Sequence, residues 1–304
     1  MTMPIPVRAL ATSHATVPRD VDDLAAEVGL SAEERSALRD GGLVAVPVAS
    51  VGLAELVVGV VESLDVSDCA SVVFTHSLEM ADATAERLTD ALTAAIPSLV
   101  HPPMLVTGRP CSIIHLGVQL AALRRRDRPD ATVLVLGGDV APTHADRFFF
   151  GSAMGDSAVG MLLGGPARVG HVIGVHSTWH IVASGGAASD PADIARFRAE
   201  NPTAIRTTIT GALRSAGLGW SDLTAIVPHT PYRRIWDAIA ELCRFPREQI
   251  LDQGIAETGH LNSNDVVHHL AAAIADARLR SGDLAALVSP GFGGTRGCTL
   301  VRVR

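Results

Sequence analysis

The chain has 304 residues, 47% apolar and 19% charged, enough to bury a sizeable core in one large or two smaller domains. A net charge of −7 argues against a nucleic-acid partner, and no apolar run reaches the length that spans a bilayer, so no membrane partner is expected. The opening residues, Met1 to Arg8, lack the plan of a signal peptide, and Cys69, Cys111, Cys243 and Cys298 form no CxxC pair, so the expected setting is cytoplasmic and reducing, with no disulfide framework and no metal.

In chain order, residues 4–12 read as a first strand and Asp20 to Val28 as a helix. Ser31-Ala-Glu-Glu34 is a capping box that opens another helix. A helix over residues 50–64 leads through Ser67-Asp68 into Ala70-Ser-Val-Val-Phe-Thr-His76, a short β-branched run suited to a buried strand. Thr107-Gly-Arg-Pro-Cys111 then opens a largely apolar helix that ends in Arg124-Arg-Arg-Asp-Arg128. Ala131 to Gly138 is a second buried strand. Phe148-Phe-Phe-Gly-Ser-Ala-Met-Gly-Asp156 makes a glycine-rich turn into a third, ending near Leu163. Farther on, residues 202–216 are a helix, Gly219 to His229 a turn and buried strand, and Tyr232 to Arg244 and Asp265 to Arg280 two more helices. Leu284 to Ser289 is a strand, Gly291-Phe-Gly-Gly294 a turn, and Cys298 to Arg304 the last strand.

The two halves correspond by position. Ser67 and Ser221, His76 and His229, and His115 and His269 are each 153 or 154 residues apart, and on that register Cys111 faces Asp265. An offset this constant indicates an internal duplication, here divided as residues 1–165 and 166–304. Alternating strands and helices imply α/β layering, with two sheets and helices between and outside them. The N-termini of the two central helices then converge, one opened by Cys111 and the other by Asp265.

Cys111, in the first turn of its helix, is the candidate nucleophile, because unpaired N–H groups and the positive dipole end favour a thiolate; the alternative is a cysteine that fills space. His260 lies five residues before Asp265, within reach of a carboxylate that would fix its tautomer and stabilise an imidazolium. The alternative there is a helix cap and a loop histidine. His229, at a strand end, is a second imidazole; its mate His76 shows that the position also suits a structural histidine. The glycines of Gly291 to Gly294 allow close backbone approach, so with the Cys111 N–H they form a candidate oxyanion hole. His268 and His269 read as core or interface residues, and the other three cysteines as packing.

Taken together, Cys111 before a buried helix, Leu134-Val-Leu-Gly-Gly-Asp139, Met154-Gly-Asp-Ser-Ala-Val-Gly160, Val227-Pro-His229, Gly259-His260 and Gly291-Phe-Gly-Gly-Thr-Arg-Gly297 resemble the thiolase fold, and within it the ketoacyl-acyl carrier protein synthase III family. The resemblance implies duplicated βαβαβαββ halves in an αβαβα layered sandwich, a homodimer, and acyl transfer from a thioester onto Cys111. Pro228-His229-Thr-Pro-Tyr232 replaces the family's Pro-His-Gln-Ala-Asn, and His260 stands where the family has an asparagine that stabilises an enolate. Gly-His followed by Asp265 instead resembles the polyketide-pathway branch, whose Cys-or-Ser/His/Asp triad handles priming or acylates a hydroxyl. That implies a Cys111, His260, Asp265 triad, with the backbone of Cys111 and Gly294 as the oxyanion hole. It also implies docking of an acyl carrier protein at Arg234, beside Arg233. Residues 15–50 hold no aromatic residue to match the family's adenine-clamping tryptophan, which weakens the case for a coenzyme A donor, and the basic position at Arg234 favours a carrier-bound acyl donor or acceptor. The expected function is acyl transfer to a hydroxyl, amine or thiol acceptor with no cofactor beyond the thioester substrate. The alternatives are a carbon–carbon bond-forming condensing enzyme and a non-catalytic carrier-binding subunit.

Overall fold

The computed structural model describes residues 4–108, 110–149, 151–182, 189–231 and 233–304. Tyr232, the expected first residue of a helix, lies outside the described residues, as do Arg109 and Phe150.

Strand β1 (Ile5–Thr12) opens the chain. A hairpin of β2 (Thr16–Asp20) and β3 (Ala45–Ala49) encloses α1 (Val21–Glu27) and α2 (Ala32–Asp40), with the Ser31 capping box formed at the start of α2. Next come α3 (Leu53–Glu62), β4 (Cys69–Thr75), α4 (Asp82–Ala95), β5 (Met104–Val106), α5 (Ile113–Asp127) and β6 (Thr132–Asp139). The short β7 (Phe148–Phe149) and β8 (Ser152–Ala153) precede β9 (Ser157–Leu163). The rest is β10 (Gly170–Trp179), α6 (Pro191–Ser215), β11 (Ala225–Pro228), α7 (Arg234–Cys243), α8 (Ile255–Thr258), α9 (Asp265–Ala275), β12 (Leu284–Gly291) and β13 (Thr295–Val303).

The strand order β11-β12-β13-β10-β1-β9-β6-β4-β5 reads the same outward from its centre, since β10, β13, β12 and β11 repeat the roles of β1, β9, β6 and β4. Alternation along the strands defines the layers, because successive side chains point to opposite faces. Val73, Val133, Val135 and Met161 of one half, and Ala225, Val227, Leu287 and Val301 of the other, meet Ile114 and Val118 of α5 and Val266 and Leu270 of α9 in one central core. The intervening residues face outward. Val72, Phe74, Leu134 and Leu136 pack under α3 and α4, while Ile226, Ala286, Val288 and Leu300 pack under α6 and α7. The result is the αβαβα sandwich. Full burial of each such valine or leucine stabilises it by roughly 1.5–3 kcal/mol.

Several elements differ from expectation. The two half-sheets are joined as one nine-stranded sheet rather than kept separate, because β1 pairs with both β9 and β10 (Ile5 with Val172, Val7 with Gly170). Helix α6 begins at Pro191 rather than residue 202: Asp190 caps the Ala192 N–H, and Pro202 sits inside the helix. Helix α9 stops at Ala275, short of Arg280, where Ala277 turns left-handed at φ 55°. Strand β13 starts at Thr295, ahead of Cys298, because pairing with β12 extends from Leu284–Arg302 to Gly291–Thr295. Among the described residues, no helix is long and apolar enough to cross a membrane.

Candidate active site

Cys111 lies two residues ahead of α5, which begins at Ile113, not in the helix's first turn as expected. Its backbone is left-handed at φ 59°, a conformation that disfavours a non-glycine residue by roughly 1–2 kcal/mol. The turn is held from outside. Ser112 donates its N–H to the Pro110 carbonyl at 2.8 Å and its hydroxyl to Thr295 Oγ1 at 3.0 Å. A side chain on Gly291 would meet the Pro110 carbonyl at 2.1 Å, so the start of the glycine turn lies directly against the cysteine turn.

His260 comes from the other half. Its N–H donates to the Ala153 carbonyl at 2.9 Å and its own carbonyl accepts from Gly155 N at 3.0 Å, which threads the residue alongside β8. Gly259 precedes it at φ 57°, where a Cβ would strike the Ala153 carbonyl and Val46 at 2.5 Å each. Its ring places Nε2 3.5 Å from Cys111 Sγ and Nδ1 2.8 Å from Asp265 Oδ2. Asp265, the first residue of α9, also accepts the Thr230 N–H on Oδ2 and the Leu261 N–H on Oδ1, both at 2.8 Å. His260 and Asp265 are fully buried, and Cys111 is partly exposed.

This geometry sets the charges. Burial opposes a proton on His260, but the Asp265 carboxylate and the Cys111 sulfur at its two nitrogens outweigh it and raise the imidazole from 6.5 to about 10. Burial likewise opposes the Asp265 charge, yet its attraction to His260 holds the carboxyl well below the usual carboxylate range. His229 lies edge-on to His260, with ring centroids 4.3 Å apart. Burial, reinforced by His260, keeps His229 well below its ordinary value and therefore neutral. Among the described residues neither His229 ring nitrogen has a hydrogen-bond partner, and its carbonyl accepts from Trp236 Nε1 at 3.0 Å. The structure thus brings Cys111, His229, His260 and Asp265 to one point.

Comparison with known proteins bears on this architecture. The family profile described as 3-oxoacyl-[acyl-carrier-protein (ACP)] synthase III, C terminal, matches residues 213–303, the stretch that carries His229, His260 and Asp265 but not Cys111. Beta-ketoacyl-[acyl-carrier-protein] synthase III of Brucella canis is 34% identical over 98 residues, 32% of this chain and 30% of that protein. The Allorhizobium ampelinum protein of the same description is 31% identical over 98 residues, with the same coverage. The matched stretch therefore spans under a third of these curated relatives. Solved structures cover far more. The ChlB3 acyltransferase superposes with a TM-score of 0.84 at 18% identity, covering 99% of this chain and 98% of that one. The Pseudomonas aeruginosa 3-oxoacyl-(acyl carrier protein) synthase III gives 0.79 at 20% identity, with 98% of each chain covered. The priming beta-ketosynthase of the R1128 polyketide pathway gives 0.79 at 17%, covering 98% of this chain and 96% of its own. The chain has the fold of these synthase III structures.

Within this synthase III fold, Gly294 sits in the turn that packs on the Cys111 loop, but its N–H donates to the Gly291 carbonyl at 3.3 Å, a long bond that a substrate oxygen would have to share or displace. Arg233 and Arg234 are exposed at the start of α7, with Arg233 3.8 Å from Asp252. Burial pushes the thiols of Cys69 and Cys298 up and that of Cys243 to about 11, away from the thiolate, so these three suit packing. One site residue escaped the sequence analysis. Asn262, left-handed at φ 54°, brings Oδ1 to 4.0 Å from Cys111 Sγ while its amide donates to Met154 Sδ at 2.9 Å. The only signal for it is an asparagine, a residue that tolerates left-handed backbone, two positions after His260.

Proposed function

We propose that this chain is an acyltransferase of specialised, polyketide-type metabolism that works through a Cys111 acyl-enzyme. The observation that carries this reading is the continuous contact from Cys111 Sγ to His260 Nε2 at 3.5 Å and from His260 Nδ1 to Asp265 Oδ2 at 2.8 Å. His260 takes the thiol proton and the sulfur attacks a thioester carbonyl. The tetrahedral intermediate collapses with loss of the donor thiolate, which takes the proton from His260. His260, now neutral, removes a proton from a hydroxyl, amine or thiol acceptor as it attacks the acyl carbon. Cys111 then leaves as product forms. Asp265 holds the ring so that Nε2 faces the sulfur throughout. The backbone N–H groups of Cys111 and Gly294 receive the developing oxyanion, and His229 is a second base for the acceptor.

The donor is an acyl thioester of a carrier protein or of coenzyme A, and no further cofactor takes part. An acidic carrier would approach the cationic edge at Arg233 and Arg234. The working unit is a cytoplasmic homodimer. The division near residue 165 separates the half with the nucleophile from the half with His229, His260 and Asp265. Intact-protein mass spectrometry after incubation with acyl thioesters tests the reading: an acyl adduct is expected on the native chain and none on Cys111→Ala. An adduct that survives that substitution, or none on the native chain, would overturn it.

A second reading, carbon–carbon condensation, is favoured by one observation: two imidazoles, His229 and His260, face the same sulfur. Both could stabilise an enolate formed when a malonyl thioester loses carbon dioxide. Release of carbon dioxide from that substrate separates the two readings.

A further inference from the structure

The sulfur of Cys111 and one ring nitrogen each of His229 and His260 all lie within 4.8 Å of one another. On a tetrahedral zinc ion, with sulfur at about 2.3 Å and nitrogen at about 2.0–2.1 Å, two such ligands stand about 3.5 Å apart. The Cys111 Sγ to His260 Nε2 separation is 3.5 Å as it stands. His229 adds an independent sign of a ligand site. It is 2% exposed, and among the described residues neither of its ring nitrogens has a hydrogen-bond partner, an unfavourable state for a buried imidazole that a metal would relieve. His260 already has the companion a metal-bound histidine uses, since its other nitrogen is fixed on the Asp265 carboxylate at 2.8 Å. Cys111 is partly exposed, so water can reach the sulfur and supply a fourth ligand.

We propose that Cys111, His229 and His260 form a binding site for a thiophilic divalent cation of the zinc class, which caps the sulfur and holds the site inactive. One thiolate, two imidazoles and an open position suit zinc and disfavour the hard cations magnesium and calcium, which take oxygen ligands. On binding, the one proton shared by Cys111 Sγ and His260 Nε2 passes to solvent. Three metal–ligand bonds replace three metal–water bonds, and no electron is transferred. The metal then occupies the sulfur lone pair and the nitrogen that acylation would use. Binding stands on the geometry alone, while inhibition rests on the acyl-transfer reading.

The test uses the full chain, freed of metal by a chelator, and titrates it with cobalt(II) as a spectroscopic probe and with zinc(II) against a chromophoric indicator. Expected are one ion per chain, a sulfur-to-cobalt charge-transfer band in the near ultraviolet, and a single zinc–sulfur distance of about 2.3 Å by X-ray absorption. Cys111→Ser should abolish the band, and His229→Asn should weaken zinc binding by at least about tenfold, both judged on protein with unchanged circular dichroism. A native chain without the band, or one whose zinc affinity survives Cys111→Ser unchanged, overturns the site. Acylation measured with and without zinc keeps the two ideas apart. Metal binding without any acyl adduct in the metal-free chain defeats the transferase reading only, and adduct formation without metal binding defeats this one only.

Discussion

His76 and His229 are mates in the duplication, 153 residues apart and each just past the end of a strand, β4 or β11. The residue after each is held alike: Ser77 N donates to Asp139 Oδ1 and Thr230 N to Asp265 Oδ2, both at 2.8 Å. The rings then part company. His76 Nδ1 donates to the Gly138 carbonyl at 2.6 Å, lies 3.0 Å from Asp139 and stacks on Phe74, so its polar capacity is spent inside the N-terminal half. His229 has no partner for either nitrogen among the described residues and faces His260, for which the duplication has no mate, since Val106 stands 154 residues earlier. The same scaffold position is bonded into its own half at His76 and turned toward His260 at His229, and the neighbours decide which. The largest effect should follow removal of the unmatched imidazole. His260→Ala is expected to slow Cys111 acylation by about 10²–10⁴-fold, measured as adduct formation against time. An unimpaired rate would mean that the asymmetry between the halves has nothing to do with acylation.

Exchanging one perturbation between the mates sharpens the contrast. His229→Asn should lower turnover by roughly 10- to 100-fold while leaving the melting temperature close to native. His76→Asn should do the reverse. Loss of the bonds to Gly138 and Asp139 leaves buried polar groups unpaired and destabilises the fold by about 1–3 kcal/mol, with turnover per folded molecule unchanged. Thermal unfolding and steady-state rates on both variants decide the matter, and equal behaviour of the two would erase the distinction.

Much of this was legible in the chain itself. β4, β6, β11 and β12 are short apolar runs bounded by polar or glycine residues. The duplication offset sets Asp265 opposite Cys111, and Gly259-His260 marks the candidate base. Other elements gave weak local signals. The β2–β3 hairpin carries Pro18 and Pro47 and fully buries only Val46, α4 fully buries only Leu88 and Leu92, and Pro202 reads as a helix start although α6 runs through it. The left-handed turns at Cys111 and Asn262 are imposed by tertiary contacts, Ser112 to Thr295 and Asn262 to Met154, that no local pattern announces.

Titration separates the halves less sharply, through stability. His260 has its proton held to about 10 in the folded chain against 6.5 ordinarily, so its stabilisation is complete below 6.5 and is lost as pH rises through 10. Burial does the opposite to His115, lowered to about 3, and, with His269 beside it, to His268, lowered to about 4. These two stay neutral when folded but take a proton when unfolded, so stability falls as pH drops below 6.5. A maximum near pH 6.5 is expected in urea unfolding, each group contributing a slope of up to about 1.4 kcal/mol per pH unit. Asp265→Asn should flatten the alkaline limb, and His115→Gln should soften the acid limb. Unchanged limbs in these variants would assign the pH response elsewhere.

The smallest effect concerns the surface. Arg234 is exposed at the start of α7, and its mate 154 residues earlier is Met80, so the duplication supplies no second cation there. If an acidic carrier protein docks on this edge, Arg234→Glu turns one attraction into a repulsion between solvated groups, each worth about 0.2–1 kcal/mol. The KM for a carrier-bound thioester should then rise by roughly two- to fivefold, with the difference shrinking as salt shortens the reach of the charge. A short acyl thioester without a carrier should show no change, because the cationic edge would act on the carrier and not on the acyl group. A KM that ignores both the charge reversal and the salt would move docking off α7 and confine the difference between the halves to the buried meeting point of His229, His260 and Cys111.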